Sequence, residues 1–142
     1  MFNSYGLDRI ACWKQFRDHI ETSNTPFEDC AVFWSHAPFV NPYLNAHSPA
    51  SWPDPWKLII DQKYDNLAIS LGMLYTLKLT NRFSDSVFEI VMTTHNETDK
   101  LWYLVVDNKY VLNYTYAEVV FANDIDLTLA TVLFTITPAT KF

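Results

Sequence analysis

The sequence predicts an α+β protein, with N-terminal helices and a buried central helix packed on an antiparallel β-meander. Three observations lead there. Apolar residues recur with a helical period as far as Leu79 and with the two-residue period of strands from Val87 onward. The run Asp65–Leu77 is apolar nearly all the way round, which suits a helix at the centre of a domain rather than on its surface. Asp107-Asn108 separates two strand-like runs as a hairpin turn does, because Asp and Asn tolerate positive φ better than other side chains. Helices first and a meander afterwards make an α+β layout.

Each element has its own warrant. Leu7 to Ile20 places Ile10, Trp13, Phe16 or Arg17, and Ile20 on one helical stripe, with Asp8 in the first turn where the helix dipole favours an acid. Thr22 to Pro26 reads as a turn. Phe27 to Ser35 is a short aromatic segment compatible with either regular state. Pro38 to Pro55 holds five of the seven prolines and reads as an extended arm on the surface. The stretch Trp52–Leu79 then organises the chain: a stiff Trp52-Pro53-Asp54-Pro55-Trp56 segment leads into the central helix, for which Asp65 and Asn66 are good first-turn residues. Gly72 costs about 1 kcal/mol in a helix relative to Ala, so close packing against another backbone is its expected reason. Val87–Thr94, Leu101–Val106, Lys109–Tyr114 and Leu127–Thr137 read as strands, and Tyr116–Ala122 fits helix or strand.

Composition narrows the functional classes. With 142 residues, 49% hydrophobic and 16% aromatic, the chain reads as a single ordered domain spanning 1–142. Its formal charge is −6 and its 10 Lys and Arg are spread singly, which argues against nucleic acid as a partner. No run of about 18 uncharged apolar residues is present and Met1-Phe2-Asn3-Ser4 opens no secretory signal, so no membrane association is expected. Cys12 and Cys30 make no disulfide framework; free buried thiols are expected, with a single Cys12–Cys30 bridge as the alternative. His19, His36, His47 and His95 are far apart, and Gly6 and Gly72 build no phosphate loop, so neither metal nor cofactor is expected.

Three short pieces stand in a suggestive order: Trp52-Pro53-Asp54-Pro55-Trp56, then Tyr64-Asp65-Asn66-Leu67-Ala68-Ile69-Ser70, then Val111-Leu112-Asn113-Tyr114. From Trp52 to Tyr114 the layout resembles bacterial and phage transglutaminase-like cysteine peptidases, of the papain-like fold. In that family a cysteine opens the central helix, a strand carries the histidine, and a later strand ends on the orienting acid. The resemblance puts Tyr64 at the nucleophile position, Trp102 (with Leu101 and Tyr103 beside it) at the histidine position, and Asn113 at that of the acid. A phenol of pKa near 10 is a poor substitute for a thiolate. The resemblance therefore implies a degenerate scaffold that is not an enzyme: a structural protein of a phage virion (head–tail connector, tail or baseplate), assembled in the host cytoplasm with other protein subunits as a multimer.

Two rival readings use other residues. Cys12, His95 and Asp107 could form the triad of a cysteine-dependent hydrolase or acyltransferase, although Cys12 falls inside the first helix without a helix N-terminus to activate it. Cys30 follows Glu28-Asp29, whose charges would raise its pKa. A soluble peptide-binding module is the other reading. For any partner, Phe39, Tyr43, Trp52 and Trp56 are the candidate contact residues, since Tyr and Trp bury much area at small entropic cost.

Overall fold

Asp65 starts the helix that the other elements surround. Its carboxylate oxygen Oδ1 accepts the Ala68 N–H at 2.8 Å, capping α4 (Asn66–Lys78). Eleven of the 13 residues of α4 are buried, as its all-round apolar pattern predicts. The computed structural model describes residues 1–40, 44–61, 63–94, 100–126 and 130–140. Around α4 lie α1 (Leu7–Thr22), α2 (Pro26–Trp34) and α3 (Pro55–Asp61) on one side, and a five-stranded sheet on the other. The strands are β1 (Phe88–Thr94), β2 (Lys100–Val106), β3 (Tyr110–Leu112), β4 (Val119–Phe121) and β5 (Thr131–Ile136).

The short helix α3 corrects the reading of the proline-rich arm, which was expected to stay extended as far as Pro55. Asp54 caps it, accepting the Lys57 N–H at 2.8 Å, and Pro55 takes its first position, where the missing N–H costs nothing. Upstream, among the described residues, Phe39 forms a parallel bridge with Tyr64, the Ser48 N–H closes a turn on the Asn45 carbonyl, and Pro49–Ser51 coils into a 3₁₀ turn. The aromatic segment left open between helix and strand is the helix α2.

All strand pairs are antiparallel, in the order β4-β3-β2-β1-β5. β1 to β4 form the meander. β5 returns to pair with β1, so it lies at the edge beside the first strand rather than after the last. Asp107 and Asn108 make the expected hairpin turn with φ of 54° and 56°. Asn113 (φ 65°) ends β3 short of the expected Tyr114. Tyr116–Ala122 resolves into the strand β4, and positions 127–129 of the expected final strand lie outside the described residues. Ile90, Leu104, Val106 and Leu112 face the helices and share their core, while Val91, Tyr103, Val105 and Val111 form a second cluster on the opposite face.

Candidate functional site

The start of α4, the first half of β2 and the residue after β3 meet at one side chain. Asn113 donates through Nδ2 to the Asn66 carbonyl at 3.0 Å, to Ser70 Oγ at 2.9 Å and to the Trp102 carbonyl at 3.3 Å. The Ser70 hydroxyl donates to the same Trp102 carbonyl at 3.1 Å. Two of the three groups around Nδ2 are backbone carbonyls, which only accept, so the amide has one possible orientation. Among the described residues its Oδ1 has no hydrogen-bond partner.

A cleft of about 260 Å³ opens beside this amide. Trp34, Ile69 and Met73 form apolar walls, Phe39 lies at its mouth, and Asn66 and Asn113 supply polar edges. Among its described lining residues none is charged. Tyr116, from the β3–β4 turn, spans one end by donating its hydroxyl to the Ser35 carbonyl at the end of α2 (3.1 Å). The turn it belongs to is bracketed by two non-glycine residues at positive φ, Asn113 and Ala117 (58°).

Of the three positions singled out by the family resemblance, the structure brings two together. Asn113 and Trp102 share the hydrogen-bond node just described, through the Trp102 backbone, while the Trp102 indole Nε1 is buried without a partner among the described residues. Tyr64 points elsewhere. Its ring is fully buried against Phe2 and Trp34, and its hydroxyl lies 3.0 Å from the Leu58 carbonyl and 2.9 Å from Arg9 Nη2. Arg9, itself buried, also donates through Nε to the Ile59 carbonyl at 2.7 Å. Tyr64 and Arg9 thus donate to carbonyls in the last turn of α3. Burial pushes the Tyr64 phenol up, with Arg9 opposing.

The rival residues are not assembled in the described part of the chain. His95 lies outside the described residues. Asp107 closes the β2–β3 turn and accepts the Val87 N–H at 2.8 Å. Cys12 is half-buried in the second turn of α1, with Ser4 Oγ 3.7 Å from its sulfur. Cys30 is fully buried behind α4, 3.9 Å from the Met73 carbonyl, and burial followed by the charge of Asp29 pushes its thiol far above the usual range. Both cysteines are free.

The candidate partner residues have separate neighbours. Phe39 is exposed at the cleft mouth. Trp52 donates its indole N–H to the Asn45 carbonyl at 2.8 Å and packs on Phe134 of β5, so it serves the fold rather than a free surface. Trp56 is half-exposed and stands edge-on to Trp13, beside the Arg17 guanidinium. Tyr43 lies outside the described residues. Sequence reasoning missed Trp34, Ser35 and Tyr116 as cleft residues. Ser70 did carry a signal, as a hydroxyl inside an otherwise apolar helix.

No family model and no curated protein matches the chain in sequence. Among solved structures the fold matches LapG of Legionella pneumophila, a bacterial transglutaminase-like cysteine protease. The calcium-bound LapG structure aligns with a TM-score of 0.68 at 13% identity, over 92% of this chain and 75% of that one. A second LapG structure gives 0.66 at 12% identity over the same shares, and the EGTA-treated form gives 0.67 at 13% over 92% and 73%. The chain therefore has the transglutaminase-like α+β fold. This likeness corrects the expectation that the chain is not an enzyme, since the scaffold it matches is that of a cysteine protease. The virion role expected from the sequence finds no support in the comparisons. Calcium needs six to eight oxygen ligands, and among the described residues no three His, Cys, Asp or Glu side chains converge to begin such a set.

Proposed function

We propose that this chain acts on polypeptide, holding an extended segment of another protein in the cleft between α2, the start of α4 and the end of β3. The observation that carries the reading is the cleft itself: an apolar-walled cavity at the start of the central helix, with no charged group among its described lining residues. Its volume, about 260 Å³, lies below the roughly 300–1,000 Å³ typical of sites for whole small molecules, and suits a single side chain of a longer ligand. Titrating a library of fluorescent hexapeptides into the protein tests this by anisotropy. Saturable binding that Tyr116→Trp weakens supports the reading, and no binding by any member sinks it.

The likeness to a cysteine protease favours a second reading, thiol-dependent hydrolysis or acyl transfer. Cys12 is the thiol to assign, because its sulfur is partly open whereas Cys30 is enclosed. Attack of the Cys12 thiolate on an amide carbonyl would form a thioester and release an amine, and water or a second amine would then take the acyl group. Turnover of a quenched peptide library that Cys12→Ser abolishes supports this chemistry. Turnover that survives the substitution removes Cys12 from it.

A further inference from the structure

We infer that the cleft selects a polypeptide by one uncharged apolar side chain together with the backbone N–H of the same residue, which donates to Asn113 Oδ1. The inference rests on the reading of the cleft as a polypeptide site and names what that site prefers.

The donor–acceptor pattern decides the first half. Asn113 uses Nδ2 on three protein acceptors, at 3.0, 2.9 and 3.3 Å. Turning the amide over would set Oδ1 against two carbonyl oxygens, so that orientation is barred. The atom presented by Asn113 is thus an acceptor, and a ligand has to bring a donor to it. Every non-proline residue of an extended peptide carries one. An Asn at φ 65° directly after β3 holds this acceptor beside the start of α4, because its Nδ2 is bonded to the first residue of that helix.

The walls decide the second half. Trp34, Ile69 and Met73 give an apolar surface, and none of the described lining residues carries a charge. A Lys or Glu side chain buried there would lose its water without gaining an ion-pair partner, whereas Leu or Phe would gain from the transfer. The Tyr116–Ser35 bridge limits the length of the anchoring side chain.

The test uses the intact chain and fluorescein-labelled hexapeptides, acetylated and amidated at their ends, with the central residue set to Leu, Phe, Ala, Glu or Lys. The Leu and Phe peptides are expected to bind at least tenfold more tightly than the Glu and Lys peptides. Replacing the central N–H by an ester oxygen should weaken the best peptide about tenfold. This change is made on the ligand because Asn113→Ala removes three internal bonds and can unfold the site. As a protein-side check, Ile69→Trp, which fills the cavity from a half-buried wall, should erase the advantage of Leu over Ala while circular dichroism stays unchanged. Equal binding of the ester, or a preference for Glu or Lys, overturns the inference and leaves the polypeptide reading standing. Failure of every peptide to bind overturns both.

Discussion

The indole of Trp34 lies so close to Gly72 that a Cβ added there would stand 2.3 Å from its Cη2 and 2.6 Å from two further ring carbons. The close approach expected of this glycine is real, but its partner is not the backbone expected: it is a side chain, which also walls the cleft. In an ordinary helix Gly→Ala gains about 1 kcal/mol. Here the indole is fully buried and held in place by its hydrogen bond to Thr76, and overpacking a core costs about 1–3 kcal/mol. Gly72→Ala should therefore destabilise by about 1–2 kcal/mol in urea denaturation. Combining it with Trp34→Phe should recover part of that loss, and strict additivity of the two changes would refute the contact.

Thr76 serves two tryptophans at once. Its Oγ1 accepts Trp13 Nε1 at 2.9 Å and Trp34 Nε1 at 3.0 Å, while its hydroxyl donates to the Gly72 carbonyl at 2.7 Å. Thr76→Val keeps the shape and leaves two buried indole N–H groups without acceptors, at about 1–3 kcal/mol each. A loss of about 2–4 kcal/mol is expected. Thr76→Ser keeps the oxygen and should lose only about 1 kcal/mol for its missing methyl group. Valine matching serine in thermal melts would show that the shared acceptor contributes little.

These elements differ in how much of them could be read beforehand. α4 was legible because burial all round leaves a continuous apolar run, and the β2–β3 turn because Asp107 and Asn108 are the residues that accept its backbone. α3 was not, since the prolines around it masked the Asp54 cap and the use of Pro55 as a first helical residue. β5 was legible as a strand but not as the neighbour of β1, because strand pairing is a long-range choice that periodicity does not encode. The cleft is less local still: Ser35 and Tyr116, which bound it, are 81 positions apart. Asn113 was singled out by motif for one role. The structure shows it organising three backbone and side-chain acceptors instead.

Asp29 joins the end of α1 to the start of α2, and its effect should depend on pH. Its carboxylate accepts the Ser23 hydroxyl, lies 2.9 Å from His19 Nε2, and accepts the Thr25 hydroxyl at 3.0 Å. The Ser23 hydrogen bond is the main cause of a pKa held below the usual value; desolvation opposes it, and His19 and Thr25 add to it. A depressed carboxylate contributes stability that is present above its unfolded pKa of about 3.9 and is lost as pH falls through the lower folded value. The stability gap between the parent and Asp29→Asn should hold from neutral pH down to about pH 4 and close below it. Urea titrations at stepped pH check this, and a gap unchanged at pH 2 would contradict it.

The two thiols should separate cleanly in labelling. Reaction with iodoacetamide needs a thiolate and a path to it. Cys30 has neither: its residue is fully buried, and its thiol is pushed up by burial and by Asp29. It can react only when the core around α2 and α4 opens, so its rate should follow unfolding and rise steeply with urea. Cys12, partly open on α1, should label in the native protein at a rate that low urea leaves unchanged. Intact-mass spectrometry over time should show a single adduct first, lost in Cys12→Ser and kept in Cys30→Ser. A Cys12 rate well above that of a free thiol near neutral pH would mark it as activated and strengthen the acyl-transfer reading. A first adduct on Cys30 would mean that the packing of α2 against α4 described above is wrong.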